Sequence, residues 1–173
     1  MKIFENILDK NRFSELQKYI MGPSFPWYFN NTTCENDEGI YQFTHTIVIN
    51  GTVKNYGLLS LVDHIISNVL NIKEARIIRS KFNLLSRQLY SEKDLELTIH
   101  KDTQENNKNI YSFIYYINDS EGDTIFYDTK NTNIKPKANT GVLFNSYLSH
   151  RASPPTKNKT RYILNTVFEV IQY

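Results

Sequence analysis

The chain has one cysteine, Cys34, in 173 residues. A lone thiol closes no internal disulfide, so the fold has to be held by its core, and a reducing compartment is expected. Glycine and proline are scarce, at six and five residues, which excludes collagen-like and linker-like chains. Charge of one sign is missing as well: 20 basic against 18 acidic residues leave a formal +2. The basic residues form no stripe that would track a phosphate backbone, so nothing supports a nucleic-acid partner. No apolar run approaches the roughly 20 residues that cross a bilayer. The opening MKIFENILDKNRF carries Glu5 and Asp9 where a signal peptide would be apolar. The expectation is a soluble, cytoplasmic protein with no membrane partner.

What the chain does have is aromatic residues, 12 Tyr and 10 Phe, a composition suited to packed sheets. Its length fits one domain, 1–173, able to bury a core of its own. The polar segments NNTTCENDEG (Asn30–Gly39) and KDTQENNKN (Lys101–Asn109) read as loops. FSELQKYIMG predicts a short helix with Ser14 as N-cap and Gly22 as stop. YGLLSLVDHIISNVLNI repeats its apolar residues at helical spacing, which predicts a core-facing amphipathic helix with His64 on its solvated side.

From Ala75 onward the pattern becomes short β-branched and aromatic runs: ARIIRSKFNLL, LELTIH, YSFIYYIN, GDTIFYD, GVLFN and RYILNTVFEVIQY. No crossover helices are expected between them, so the strands should pair antiparallel in a sandwich or barrel. The last run is apolar on both faces, with Ile163 and Val167 on one and Tyr162, Leu164, Phe168 and Val170 on the other. It should be covered twice, by a barrel interior and by the helices. The fold expected is mainly β (α+β): residues 1–74 provide helical and strand support, and 75–173 a barrel with the helices packed on one sheet.

LTIHKD holds His100 and Asp102 two residues apart. On an extended strand such side chains share a face, about 7 Å apart along the chain, and can converge on a metal ion. A third ligand has to come from elsewhere. His64 lies on the expected helix and His45 in the upstream strand FTHTIVIN, whereas His150, in SYLSHRASPP, falls where an antiparallel barrel can return the chain beside the first strands. Two imidazoles and a carboxylate with open positions suit non-haem Fe(II). Arg161 follows His150 after ten intervening residues, and its guanidinium can grip a carboxylate through two parallel hydrogen bonds. Arg151 projects opposite to His150 on an extended segment and is the poorer candidate.

HKD, IYYINDSEGDTIFYD, GVLFNSYLSHRASPP and TRYILNTVFEV, in this order, resemble the Fe(II)/2-oxoglutarate-dependent dioxygenases of the prolyl 4-hydroxylase-like type. With FPWYF and the RIIRSKFNLL entry, the chain looks similar to small oxygenases of marine bacteriophages, which would put it in the cytoplasm of an infected host cell. The resemblance spans Phe25 to Phe168. It implies a double-stranded β-helix, or jelly-roll, with His100, Asp102 and His150 as iron ligands and Arg161 on the distal carboxylate of 2-oxoglutarate. It further implies that Tyr116 sets its phenol against that carboxylate and that Asn83 contacts the cosubstrate. The bland readings are a core tyrosine for Tyr116 and a strand-end residue for Asn83. Leu85 stands where relatives often carry tyrosine, and Gly122-Asp123 where Gly-Gly is usual. The implied reaction uses Fe(II), 2-oxoglutarate and dioxygen to hydroxylate a small molecule or protein side chain, releasing succinate and carbon dioxide. The alternative is a non-catalytic jelly-roll module that binds a ligand or serves a structural role. Selectivity should reside in the loops Thr32–Tyr41 and Lys101–Asn109.

Overall fold

The computed structural model describes residues 1–34 and 40–172, so part of the first expected selectivity loop lies outside the described residues. Strand β1 (Lys2–Glu5) leads into helix α1 (Lys10–Ile20). The helix begins ahead of the predicted Ser14: Asp9 is its N-cap, accepting from the Asn11 and Arg12 N–H groups at 3.1 Å each. A carboxylate at this position both caps the free N–H groups and meets the positive end of the helix dipole. The chain then forms β2 (Tyr28–Asn30), β3 (Gln42–Ile49), β4 (Thr52–Val53) and helix α2 (Tyr56–His64), capped by the Asn55 side chain. The apolar period continues as predicted, but Ile65–Val69 is wound as a π-helix, with Leu70 N–H bonding Ile65 O at 2.9 Å. His64 is a surface histidine paired with Asn68.

Next come β5 (Glu74–Ser86), helix α3 (Glu92–Leu97), β6 (Ile110–Tyr116), β7 (Thr124–Phe126), β8 (Thr132–Ile134), β9 (Thr140–Asn145), β10 (His150–Ala152) and β11 (Thr160–Gln172). One expected strand is wrong: LELTIH enters as α3. Ser91 and Asp94 form a reciprocal capping box at its start, and that local pairing overrides the β-branched content of the run. Only His100 keeps extended pairing, through two backbone bonds of 2.9 Å with His150.

Among the described residues the strands make two antiparallel sheets. The larger runs β1-β9-β6-β11-β5-β3-β2, with β4 beside β3, and the smaller runs β10-β7-β8. Strand alternation divides the larger sheet. Phe82, Phe113, Tyr115, Leu164 and Phe168 pack outward with Ile20, Val62 and Ile65 of the helical layer. Ile114, Tyr116, Val142 and Ile163 point inward, where they meet Phe126 of the smaller sheet. The last strand is thus covered on both faces as its pattern predicts, and the helices buttress one sheet of a jelly-roll.

Candidate active site

Between the sheets lies a cavity of about 380 Å³, lined among others by His100, Asp102, His150, Arg79, Asn83 and Arg161. His100, Asp102 and His150 can each direct one ligand atom so that these atoms lie within 4.8 Å of one another. The loss of the predicted strand before His100 does not scatter the set. The C-cap residue of α3, Thr98, offers its carbonyl to His100 Nδ1 at 2.8 Å, and Leu148 O does the same for His150 Nδ1 at 3.0 Å. Each ring therefore carries its proton on Nδ1 and leaves Nε2 with a free lone pair, the arrangement by which outer partners orient metal-binding histidines. His150 Nε2 stands 3.6 Å from Asp102 Oδ2.

The Asp102 carboxylate is fully buried, with Arg79 on Oδ1 and the Ser112 hydroxyl on Oδ2 at 2.6 Å. Burial alone would raise its pKa. The neighbouring His150, Arg79 and His100 side chains, with the Ser112 hydrogen bond, override that and hold the carboxyl well below the ordinary range. His150 is driven down by burial, against the pull of Asp102, so its imidazole is neutral and available at pH 7. Two imidazoles held by their Nδ1 atoms and one ionised carboxylate fit a divalent metal of the iron type.

Arg161 sits deeper. It is 1% exposed, and its Nη2 donates to Thr124 Oγ1 at 2.8 Å while Nε finds no partner. Among the described residues no carboxylate comes within ion-pair distance of it. Gly122 leaves room for it: a Cβ there would stand 3.0 Å from Arg161 Cδ and 2.3 Å from Ser153 O. Arg151 lies off the cavity, its Nε donating to the Tyr127 hydroxyl at 3.0 Å. Tyr116 is buried beside Arg161 and bonds Thr124 Oγ1 at 2.8 Å, so Thr124 stands between the phenol and the cavity. Asn83 lines the cavity, with Nδ2 on Gln42 Oε1 at 2.8 Å and Oδ1 unpaired. Arg79, Lys81, Ser112 and Thr124 were not singled out from the sequence. A signal for the first two existed in RSKFN, where Arg79, Lys81 and Asn83 fall on one face of a strand whose other face holds Phe82.

Residues 86–169 match the family model described as the 2OG-Fe(II) oxygenase superfamily. Over that segment the chain is similar to 2-oxoglutarate-dependent oxygenases, and Fe(II) and 2-oxoglutarate are the groups such a domain uses. None of the curated proteins matches it in sequence. Solved structures share its fold. A 2OG-Fe(II) oxygenase family oxidoreductase from Burkholderia pseudomallei superposes with a TM-score of 0.73 at 12% identity, over 98% of this chain and 85% of that one. A Pseudomonas putida prolyl-4-hydroxylase gives 0.62 at 14%, over 97% and 91%. The viral collagen prolyl hydroxylase of Paramecium Bursaria Chlorella virus-1, in its 2OG complex, gives 0.63 at 14%, over 99% and 96%. No helix among the described residues is long and apolar enough to cross a membrane.

Proposed function

We propose that the protein hydroxylates its substrate at an iron held by His100, Asp102 and His150, with release of succinate and carbon dioxide. The observation that carries this reading is the pairing of a converging His-Asp-His set with a buried, anion-free Arg161 in one cavity. A structural or ligand-binding jelly-roll has no use for that combination.

Fe(II) with 2-oxoglutarate supplies the oxidising chemistry when bound, and the chain supplies position and environment. The Nδ1 bonds of both histidines hold their rings to the metal position. Arg79 and Ser112 keep Asp102 ionised and oriented. Arg161 takes the distal carboxylate of the cosubstrate, an anion that compensates a charge otherwise stranded among apolar neighbours. Ile114, Ile163 and Leu85 give the cavity its apolar lining. Tyr116 acts on the cosubstrate through Thr124, whereas Asn83, its Nδ2 taken by Gln42, keeps an acceptor oxygen and no donor for a carboxylate. The supporting half, 1–74, and the jelly-roll half, 75–173, work as one catalytic domain, since Ile20 and Val62 share a core with Leu164 and Phe168. A reducing cytoplasm, where iron stays ferrous and Cys34 a thiol, suits this chemistry.

The test is succinate release from 2-oxoglutarate under air, together with anaerobic Fe(II) titration. The protein should bind one equivalent of Fe(II), and His150→Ala should abolish binding at equimolar metal while the circular dichroism spectrum is kept. Unchanged iron affinity in that variant, or a wild-type protein that never turns over 2-oxoglutarate with any substrate, returns the chain to the binding-module reading.

A further inference from the structure

The face of β5 beside the metal set carries polar groups that neither the iron ligands nor the cosubstrate clamp accounts for, and it lies outside the segment 86–169 matched by the oxygenase family. Four cations line the cavity, Arg79, Lys81, Arg161 and Lys101, against one carboxylate among the described residues, Asp102. Asp102 is taken by Arg79. Lys101 leans on the Tyr147 ring at 3.5 Å. Arg161 is matched to the distal carboxylate of 2-oxoglutarate in the reading above. Fe(II) and the 2-oxoglutarate dianion cancel each other in charge. Lys81 is left half-buried with no acidic partner among the described residues.

Two amide oxygens stand beside it. Gln42 Nε2 donates to Thr32 O at 3.1 Å and Thr33 O at 3.3 Å, which fixes its Oε1 as the acceptor for Asn83 Nδ2. Asn83 therefore turns Oδ1, and not its NH₂ group, away from Gln42, and that oxygen is buried without a donor. Asn165, paired across the sheet with Lys81, also has a buried, unpartnered Oδ1. Among the described residues, then, one ammonium has no anion and two carbonyl oxygens have no donors, groups that are costly to leave dry and unpaired. The ligand that satisfies all three carries a carboxylate and an N–H or O–H donor.

We propose that Lys81, Asn83 and Asn165 form the substrate subsite, and that the substrate is a small carboxylate bearing an N–H or O–H donor, the chemistry of a free amino acid or hydroxy acid. Lys81 pairs with its carboxylate, and the two amide oxygens accept from its donor group. Size agrees. A cavity of about 380 Å³ is near the lower end of ligand sites, roughly 300–1,000 Å³, and it has to hold the cosubstrate as well. This inference rests on the oxygenase reading.

The experiment is an anaerobic titration of the protein loaded with Fe(II) and 2-oxoglutarate, using the twenty L-amino acids, their 2-hydroxy analogues and the corresponding carboxamides. Binding is followed by calorimetry and by the shift of the iron-to-2-oxoglutarate charge-transfer absorption. At least one acid should bind, with its carboxamide tenfold weaker or more. Lys81→Met should weaken the acid at least tenfold and erase the acid-over-amide preference while changing 2-oxoglutarate affinity less than twofold, and Lys81→Arg should keep the preference. A carboxamide that binds as well as its acid overturns the proposal. So does a tenfold loss of 2-oxoglutarate affinity in Lys81→Met, which would assign the lysine to the cosubstrate. A charge-transfer band that forms normally but is moved by no acid overturns the subsite alone, whereas a wild-type protein with no band overturns the oxygenase reading beneath it.

Discussion

The Arg79 guanidinium is bonded to Oδ1 of Asp102, on the carboxylate whose Oδ2 faces His150. Oδ1 is thereby held by Arg79, while Oδ2, which also accepts from Ser112, is turned toward the metal position. Arg79→Met should leave a buried carboxylate without its cation. Breaking a buried pair costs about 3–5 kcal/mol, and since Arg79 is 33% exposed the lower end, about 3 kcal/mol at most, is expected. Loss of an outer partner of a metal ligand also weakens metal affinity about 10- to 100-fold. Thermal unfolding of the metal-free protein and Fe(II) titration measure the two effects separately. An unmoved iron affinity would make the pair purely structural.

Arg161 and Arg151 make opposite predictions. Arg161→Ala should lose 2-oxoglutarate binding while keeping iron, because the cavity then has no cation at its deep end. Arg151→Ala should change cosubstrate affinity little, since that side chain bonds Tyr127 away from the cavity. Lysine at position 161 should restore part of the affinity, as it returns the charge without the two-pronged geometry. Titration of the iron-loaded variants with 2-oxoglutarate decides between them. A larger loss from Arg151→Ala would reverse the assignment.

How much of this could be read from sequence depends on how local the cause is. The inward face of β11 follows from alternation alone, so Arg161, Ile163 and Asn165 were legible as cavity-facing residues. His100 and Asp102 were legible by spacing, but their setting was misread: β-branched Thr98 and Ile99 suggested a strand, whereas the Ser91–Asp94 capping box starts a helix whose end carbonyl holds His100. Arg79 could not be joined to Asp102 from spacing, because 23 residues and a helix separate them. The Gln42–Asn83 bond, which turns Asn83 Oδ1 free, depends on β3 pairing with β5, and no local pattern encodes that register.

Thr124 alters what Tyr116 can do. Its Oγ1 accepts from Arg161 Nη2 at 2.8 Å, and if the Tyr116 phenol also donates to it, the threonine O–H is released to donate into the cavity. Burial raises the Tyr116 pKa, so the phenol keeps its proton and can serve as that donor at any working pH. Thr124→Val should therefore weaken 2-oxoglutarate by about 1.5–3 kcal/mol, the value of a hydrogen bond to a charged group. Tyr116→Phe should cost less, because it removes only the group behind the threonine. Equal losses, or a larger one from Tyr116→Phe, would put the phenol itself on the carboxylate.

Lys81 gives the subsite a pH dependence whose sign is fixed. Burial and the Arg79 charge lower its pKa from 10.5 to about 8, against the pull of Asp102. The other groups facing it are Arg79, Arg161, Asp102, His100 and His150; Asp102 is held well below the ordinary carboxylate range and His150 below its ordinary value, so neither changes charge in this window. Affinity for a carboxylate substrate should be full below pH 8 and fall as pH rises past it, approaching tenfold per unit as the ammonium is lost. Stability of the unliganded protein should move the other way. Between about pH 8 and 10.5 the unfolded chain holds a proton that the native lysine has released, so stability rises with pH across that window. Lys81→Met should flatten both slopes. Substrate titrations at pH 7, 8 and 9, with unfolding midpoints from pH 7 to 10 for wild type and variant, measure them, and a variant that keeps the wild-type pH profile of substrate affinity would take Lys81 out of the subsite.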